Sequence, residues 1–187
     1  MSLCHPGKIG EELPDPLQAI VQAYLDHNAE AEDRYLQYYR VQKSLSAAVA
    51  KSAMAELPGG GRFSHQWKIP ASVLEEANEA LCGIGFSGLK TFDELHTLVR
   101  RTIGRIRGIG PLTIYDTAHR IGAYLGLRPE FVYLHAGVRS GAKALGLDYR
   151  AHKLPMSVLP EAFHRLLPEQ VEDCLCIYRD ELRALRP

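Results

Sequence analysis

The residues with the most specific chemistry in this sequence are a pair of glycines beside arginines at the start of a helix. The segment reads Ile106-Arg107-Gly108-Ile109-Gly110-Pro111-Leu112-Thr113. Glycines let the backbone turn sharply and leave no side chain over the turn. The first N–H groups of the following helix have no helical partner, so they can bind an anion. With Arg105 and Arg107 in the turn, the pattern predicts a phosphate-binding site. The alternative is that the glycines are needed only for a sharp turn between two helices.

Two amphipathic helices are predicted to hold this turn. Thr91-Phe92-Asp93-Glu94 is a capping-box pattern and opens a helix that carries Leu95, Leu98 and Val99 on its apolar face. Pro111 at a first helical position opens the next helix, and Gly126 ends it. The spacing therefore predicts a hairpin of two helices over 92–125.

The rest of the chain also reads as helical, and we predict an all-α fold. Its strand signals are limited to Phe131–Leu134. The predicted helices begin at Asp15-Pro16 and then cover Ala31–Leu57, Ala71–Leu81, Ala136–Leu145, Ser157–Leu167 and Pro168–Leu185. The predicted units are a flexible N-terminus over 1–14, an N-terminal helical pair over 15–57, a glycine and aromatic loop over 58–70, and a helical core over 71–187.

The segment Ile103–Tyr124 resembles the helix-hairpin-helix motif, which binds the nucleic-acid backbone without reading sequence. More distantly, Phe92–Gly146 resembles the helix-hairpin-helix DNA glycosylases, because an apolar run and another helix follow the hairpin. The resemblance implies a multi-helix, glycosylase-like architecture that contacts duplex DNA. It implies the following DNA-binding residues: Arg105, Arg107, Gly108, Ile109, Gly110, Leu112, Thr113, Arg139 and Lys143.

Two departures from that family concern its catalytic residues. The family's catalytic aspartate falls at His135, and the nucleophilic lysine of its bifunctional members falls at Leu112, which cannot form a Schiff base. We therefore expect DNA-backbone binding without glycosylase chemistry. One alternative is a divergent glycosylase or lyase, a hydrolase-type enzyme with a relocated active site. The other is a helical protein-interaction module.

His135 and Asp116 are the weak candidates for such a relocated site. His135 could act as a general base for water, but the plainer expectation is that it caps its helix or binds a backbone carbonyl. Asp116 shares a helix face with His119 and Arg120, which predicts a surface ion pair.

Aromatic residues give two further expectations. Tyr35, Tyr38 and Tyr39 recur at helical spacing, which favours a place in the core over a platform for stacking bases. Trp67 is predicted to be a buried anchor, with a wedge presented to the duplex as the alternative.

The net charge of zero conceals two opposed regions. From Arg100 to Lys153 the chain has ten basic and three acidic residues, a balance of +7. The remainder has 12 basic and 19 acidic residues, a balance of −7. Phosphate contacts dominate non-specific DNA affinity, so the interface is predicted in the basic stretch that contains the hairpin.

Length, cysteines and hydropathy limit the remaining classes. In 187 residues there is no run of about 20 apolar residues, so we expect no membrane contact. Residues 1–10 lack the apolar core of a signal peptide. The four cysteines (Cys4, Cys82, Cys174 and Cys176) lack zinc-site spacing, which predicts free thiols in the cytoplasm, without metal or cofactor. The long N-terminal helices leave a homo-oligomer possible.

Overall fold

The structure, a computed structural model, describes residues 15–185 apart from the side chain of Glu32. This part of the chain is mostly helical, as predicted. The helices are α1 (Pro16–His27), α2 (Ala29–Arg40), α3 (Leu45–Ala53), α4 (Ala71–Cys82), α5 (Phe92–Ile103), α6 (Pro111–Leu125), α7 (Ala136–Ala144), α8 (Pro168–Ile177) and α9 (Arg179–Ala184). The N-terminus predicted to be flexible, 1–14, lies outside the described residues.

A short antiparallel pair of strands lies between the helices. Strand β1 (Val132–Tyr133) pairs with β2 (Lys153–Leu154), so that Val132 faces Leu154 in register. The strand signal at 131–134 is confirmed at its centre. Its partner was not predicted, because two residues are too few to show an alternating pattern.

The hairpin of α5 and α6 forms as the local signals predict. The Thr91 side chain accepts from the Glu94 N–H while Glu94 binds the Thr91 N–H, so both halves of the capping box are present. Gly126 ends α6 in the left-handed conformation, with φ of 72°. These bounds follow from interactions within a few residues, which is why the sequence predicts them well.

The prediction of one helix over 31–57 is wrong. The chain leaves the helix after Arg40 and starts α3 at Leu45, where the Ser44 side chain accepts from the Ala47 N–H. This serine cap offers the backbone an alternative to continuing the helix. The predicted N-terminal pair therefore consists of α1, α2 and α3, whereas the boundaries of the predicted units stay predictions.

The two C-terminal helices are also shorter than predicted. Over 157–167 the backbone forms two short 3-10 turns, Met156–Val158 and Glu161–Arg165, instead of one helix. Pro160 lies between the turns, and proline lacks the N–H that a continuous helix would need. The helix predicted over 168–185 is divided at Tyr178 into α8 and α9.

Buried side chains form two apolar cores. One joins α3, α4, α5 and α6 and includes Phe92 and Ile121. The other joins α1, α7 and α8 and includes Tyr24 and Leu175. Residues of both groups of helices line two cavities between the cores, and these cavities contain most of the titratable groups discussed below.

Candidate functional site

The turn between α5 and α6 leaves the start of α6 uncovered. Gly108 has φ of +103°, a conformation that favours glycine. Gly110 is the N-cap of α6 in an extended conformation, and no described side chain caps this end of the helix. Since Pro111 has no N–H, the amides of Leu112 and Thr113 are the ones without a helical partner.

Four exposed arginines surround this helix start. Arg100 and Arg101 lie in the last turn of α5, and Arg105 and Arg107 lie in the turn itself. Within residues 15–185, none of these four forms an ion pair. A groove lined by Arg100, Arg101 and Arg105 runs against Pro111. This end of the hairpin therefore combines arginines that form no ion pair with backbone amides that no described side chain caps.

The other predicted DNA contacts divide into backbone and side-chain positions. The side chain of Thr113 is buried and that of Ile109 packs against the core, so these positions can offer only their backbone. Arg139 donates from Nη1 to the carbonyl of Tyr149, 2.5 Å away, and lines a cavity beside Pro111. Lys143, one turn further along α7, lies over the Tyr149 ring and does not line that cavity.

The cavity beside the hairpin, here called the hairpin cavity, has a volume of about 350 Å³. It lies between α5, the start of α6, the two strands and the start of α7. Its lining combines cations, histidines and aromatic rings: Asp93, His96, Thr97, Arg100, Pro111, Ile114, Tyr115, Tyr133, Leu134, His135, Arg139, His152 and Lys153. Basic groups outnumber the single acid, Asp93.

The negative charge of Asp93 is compensated by its neighbours. It pairs with Lys153 and accepts from the Tyr133 hydroxyl at 2.8 Å. The hydrogen bond from Lys153 is the main reason that the pKa of Asp93 is lowered. His96, in the same wall, has its pKa lowered to about 4 by burial, so it is neutral at pH 7. The positive charge of the cavity therefore comes chiefly from Arg100 and Arg139.

The second cavity, here called the acid cavity, has a volume of about 270 Å³ and lies between α2, α6 and α8. Carboxylates and histidines dominate its polar lining: Asn28, Ala31, Tyr35, Phe63, His65, Tyr115, Asp116, His119, Arg120, Glu172 and Asp173. Tyr115 lines both cavities. The sequence did not predict this cluster, because Glu172 and Asp173 are more than 50 residues from Asp116.

Asp116 and Arg120 form the expected ion pair, but the prediction that it lies on the surface is wrong. The Arg120 side chain is 1% exposed and that of Asp116 is 15% exposed, with 3.6 Å between Nη2 and Oδ2. Arg120 also donates to the Tyr35 hydroxyl at 2.5 Å and lies 4.5 Å from the centroid of Phe63. The helical spacing predicted the pairing, but residues far away in the sequence bury it.

The expectation for His135 is also wrong. His135 is the N-cap residue of α7, yet its side chain makes no capping bond there. Instead its Nε2 forms an ion pair with Glu172, and its ring lies 5.6 Å from Tyr115. His135 lines the hairpin cavity while Glu172 lines the acid cavity, so this pair connects the two.

The carboxylates of the acid cavity have opposite pKa shifts. Burial favours the neutral form of Asp116, but hydrogen bonding from His65 and the charge of Arg120 outweigh it and lower the pKa. Burial raises the pKa of Glu172 to about 7, against the opposing effect of His135. The cavity therefore combines Asp116, which is ionised at neutral pH, with two carboxyl groups, Glu172 and Asp173, whose pKa burial raises.

Two residues of the loop over 58–70, Phe63 and His65, line the acid cavity. His65 lies 2.8 Å from the Asp116 carboxylate, and Phe63 packs against Arg120. Trp67 is 64% exposed, so the prediction of a buried anchor is wrong. This loop leads into α4, where the Val73 side chain lies 3.4 Å from the position that a Cβ on Gly108 would take.

Among the three tyrosines of α2, Tyr39 is fully buried and therefore agrees best with the predicted place in the core.

Comparisons with protein-family models, with curated proteins and with solved structures gave no match to this chain. Among the described residues, no helix is long and apolar enough to cross a membrane. Cys82, Cys174 and Cys176 are free thiols, as predicted, and Cys4 lies outside the described residues.

Proposed function

We propose that this protein binds DNA through the phosphates of its backbone, at the turn between α5 and α6. The observation that carries the proposal is the uncapped start of α6 with free arginines around it. Backbone amides and a helix dipole attract an anion, and arginine side chains strengthen that attraction. Such contacts carry no base information, so binding is independent of sequence.

The charge distribution supports one orientation of the duplex. The basic stretch over 100–153 contains the turn of the hairpin and α6, while the remainder of the chain balances at −7. The exposed arginines of the hairpin turn form no ion pair, so they attract a duplex, whereas the excess of acidic residues elsewhere in the chain opposes binding there. The proposal therefore includes one DNA-binding face instead of binding over the whole surface.

Salt dependence tests the proposed contacts directly. For the variant Arg105→Ala/Arg107→Ala we expect about tenfold weaker binding to a short duplex, because two phosphate contacts are lost. The slope of log affinity against log salt should fall by about 1.8, since each contact contributes about 0.9. The measurement is fluorescence anisotropy of a labelled duplex over a range of salt concentrations.

The matched control is Arg179→Ala/Arg183→Ala, which removes the same charge from α9. These arginines are exposed and lie near Asp180, away from the hairpin turn in sequence. We expect the control to keep the wild-type slope. An equal loss in both variants, or no duplex binding by the wild type at low salt, would contradict the proposal.

A second candidate function is the hydrolysis of an N-glycosidic bond in DNA, and the acid cavity favours it. A carboxylate held ionised in the same cavity as a carboxyl group with a raised pKa is a common arrangement for acid and base roles. Asp116 could stabilise the positive charge that develops on the sugar as the base leaves. Glu172 could exchange protons near pH 7, with His135 as its partner.

Base release from lesion-bearing duplexes distinguishes the two functions. If the second candidate is correct, Asp116→Asn should reduce the release rate at least 100-fold, whereas Asp33→Asn on the exposed face of α2 should not change it. Since Asp116→Asn leaves buried Arg120 without its carboxylate, thermal unfolding is measured alongside, and His65→Gln gives a milder change at the same carboxylate. A wild-type protein that binds duplex but releases no base across a lesion panel would exclude this function.

A further inference from the structure

The hairpin cavity has the features of an anion pocket in its own right. Arg100 and Arg139 bring positive charge to it from α5 and α7, and Lys153 and His152 add basic groups from the strand side. The one acid in the lining, Asp93, is paired with Lys153. The remaining charge favours a ligand with a negative group.

Two helix starts border the same cavity. Pro111, the first residue of α6, and His135, the N-cap of α7, both line it. Neither start has a side-chain capping bond within the described residues. Their dipoles therefore place positive ends at one cavity, and the two effects add for a bound anion.

His135 gives an independent sign of a missing ligand. His135 is 4% exposed, and neither Nδ1 nor Nε2 has a partner with hydrogen-bond geometry in the described part of the structure, although Nε2 forms an ion pair with Glu172. Glu172, the partner of Nε2, lines the acid cavity, whereas His135 itself lines the hairpin cavity. Burial opposes the charged ring, yet the bond to Glu172 raises the pKa of His135. A buried hydrogen-bond donor without an acceptor lowers stability unless a ligand accepts a hydrogen bond from it.

Two aromatic side chains, Tyr115 and Tyr133, form part of the cavity wall near the arginines. Tyr115 and Tyr133 lie with centroids 5.5 Å apart and planes 35° apart. A volume of about 350 Å³ is at the lower end of small-molecule sites, which are typically about 300 Å³ or more. Aromatic faces beside arginines bind nucleobases and phosphates together.

We propose that the hairpin cavity binds a phosphate monoester carried by a nucleotide, which on bound DNA is the phosphorylated end of a strand. This inference rests on the proposed DNA-binding function for the strand end, but the same chemistry holds for a free nucleotide. Continuous backbone presents only diesters, so the cavity gives the protein a preference for phosphate-bearing ends and nicks over uninterrupted duplex.

The test compares nicked duplexes that differ only at the nick. We expect tighter binding, by at least fivefold, to a nick with a 5′- or 3′-phosphate than to one with hydroxyl groups. Arg139→Gln should remove that preference, and it should weaken binding to hydroxyl-ended duplex no more than Lys143→Gln does. Lys143→Gln is the matched control on the same helix, and it should keep the preference because Lys143 does not line the cavity.

Free ligands separate the two sources of the phosphate. Deoxynucleoside monophosphate, deoxynucleoside and inorganic phosphate are titrated into the protein alone by calorimetry. Binding of the monophosphate but not of the nucleoside, lost in Arg139→Gln, supports the cavity as a nucleotide site even if strand ends show no preference. Equal affinity for phosphate and hydroxyl ends, with no monophosphate binding, overturns the inference. If the wild-type protein still binds duplex in that case, the proposal for the hairpin turn stands. If the wild-type protein binds no duplex at all, the proposal for the hairpin turn fails as well.

Discussion

Replacing Gly110 with aspartate should weaken duplex binding by 100-fold or more and leave the protein at least as stable. The new carboxylate would lie at the N-cap of α6 and accept from the amides of Leu112 or Thr113. Those amides would then be unable to bind a DNA phosphate. The added negative charge would also repel the duplex at the centre of the proposed interface.

The expected stability of Gly110→Asp follows from the local backbone. Gly110 has φ of −102° and ψ of 173°, which any residue adopts. A Cβ at this position meets no atom within 4 Å in the described part of the chain. Aspartate is among the best N-cap residues and complements the helix dipole, so we expect a gain of about 0.5 kcal/mol in unfolding free energy. Binding and stability would then change in opposite directions, which a misfolded variant cannot produce.

Two controls isolate the cause. Gly110→Asn occupies the same amides without a charge, and we expect an intermediate loss of binding. Ser44→Asp adds the same charge at the N-cap of α3, where a side-chain cap already exists, and should bind normally. Anisotropy titrations and thermal unfolding are measured on all three. Wild-type affinity in Gly110→Asp, or an equal loss in Ser44→Asp, would show that the start of α6 is not the binding site.

The hairpin could be predicted from the sequence because its determinants are local. The capping box at Thr91, the proline at the start of α6 and the glycine at its end each act within one turn of backbone. The same reasoning failed at residues 41–44, where a single serine cap divides a pattern that otherwise continues as helix. A weak local signal there competes with a strong periodic one, and the sequence does not show which prevails.

The cavities could not be predicted, because their residues meet only through tertiary packing. His65, Asp116 and Glu172 come from the loop, α6 and α8, and helical spacing carries no information about such distant partners. Burial is equally non-local: Phe63 and Tyr35 turn the expected surface pair of Asp116 and Arg120 into a buried one. Trp67 shows the reverse, since an aromatic type that favours burial lies exposed.

The packing of α7 against α8, which holds His135 beside Glu172, depends on glycine at Gly141. A Cβ there would lie 2.2 Å from the Leu175 carbonyl oxygen and 2.9 Å from its carbon. Both atoms belong to the backbone of α8, so no side-chain rotation relieves the clash. We therefore expect Gly141→Ala to lower the unfolding free energy by about 3 kcal/mol. This corresponds to a decrease in Tm of roughly 6–12 °C. Differential scanning calorimetry gives both quantities.

Gly137, one turn earlier on the same face, provides the control that separates close packing from helix propensity. A Cβ added at Gly137 would lie 2.3 Å from Sγ of Cys176, an atom at the end of a side chain. Gly137→Ala should therefore cost less than Gly141→Ala, and Cys176→Ala should recover most of that cost. No side-chain deletion should recover Gly141→Ala. Alanine favours the helix over glycine by about 1 kcal/mol, so if propensity prevailed both variants would be more stable than the wild type. That outcome would mean that α7 and α8 do not approach this closely, and the coupling of His135 to Glu172 would lose its structural basis.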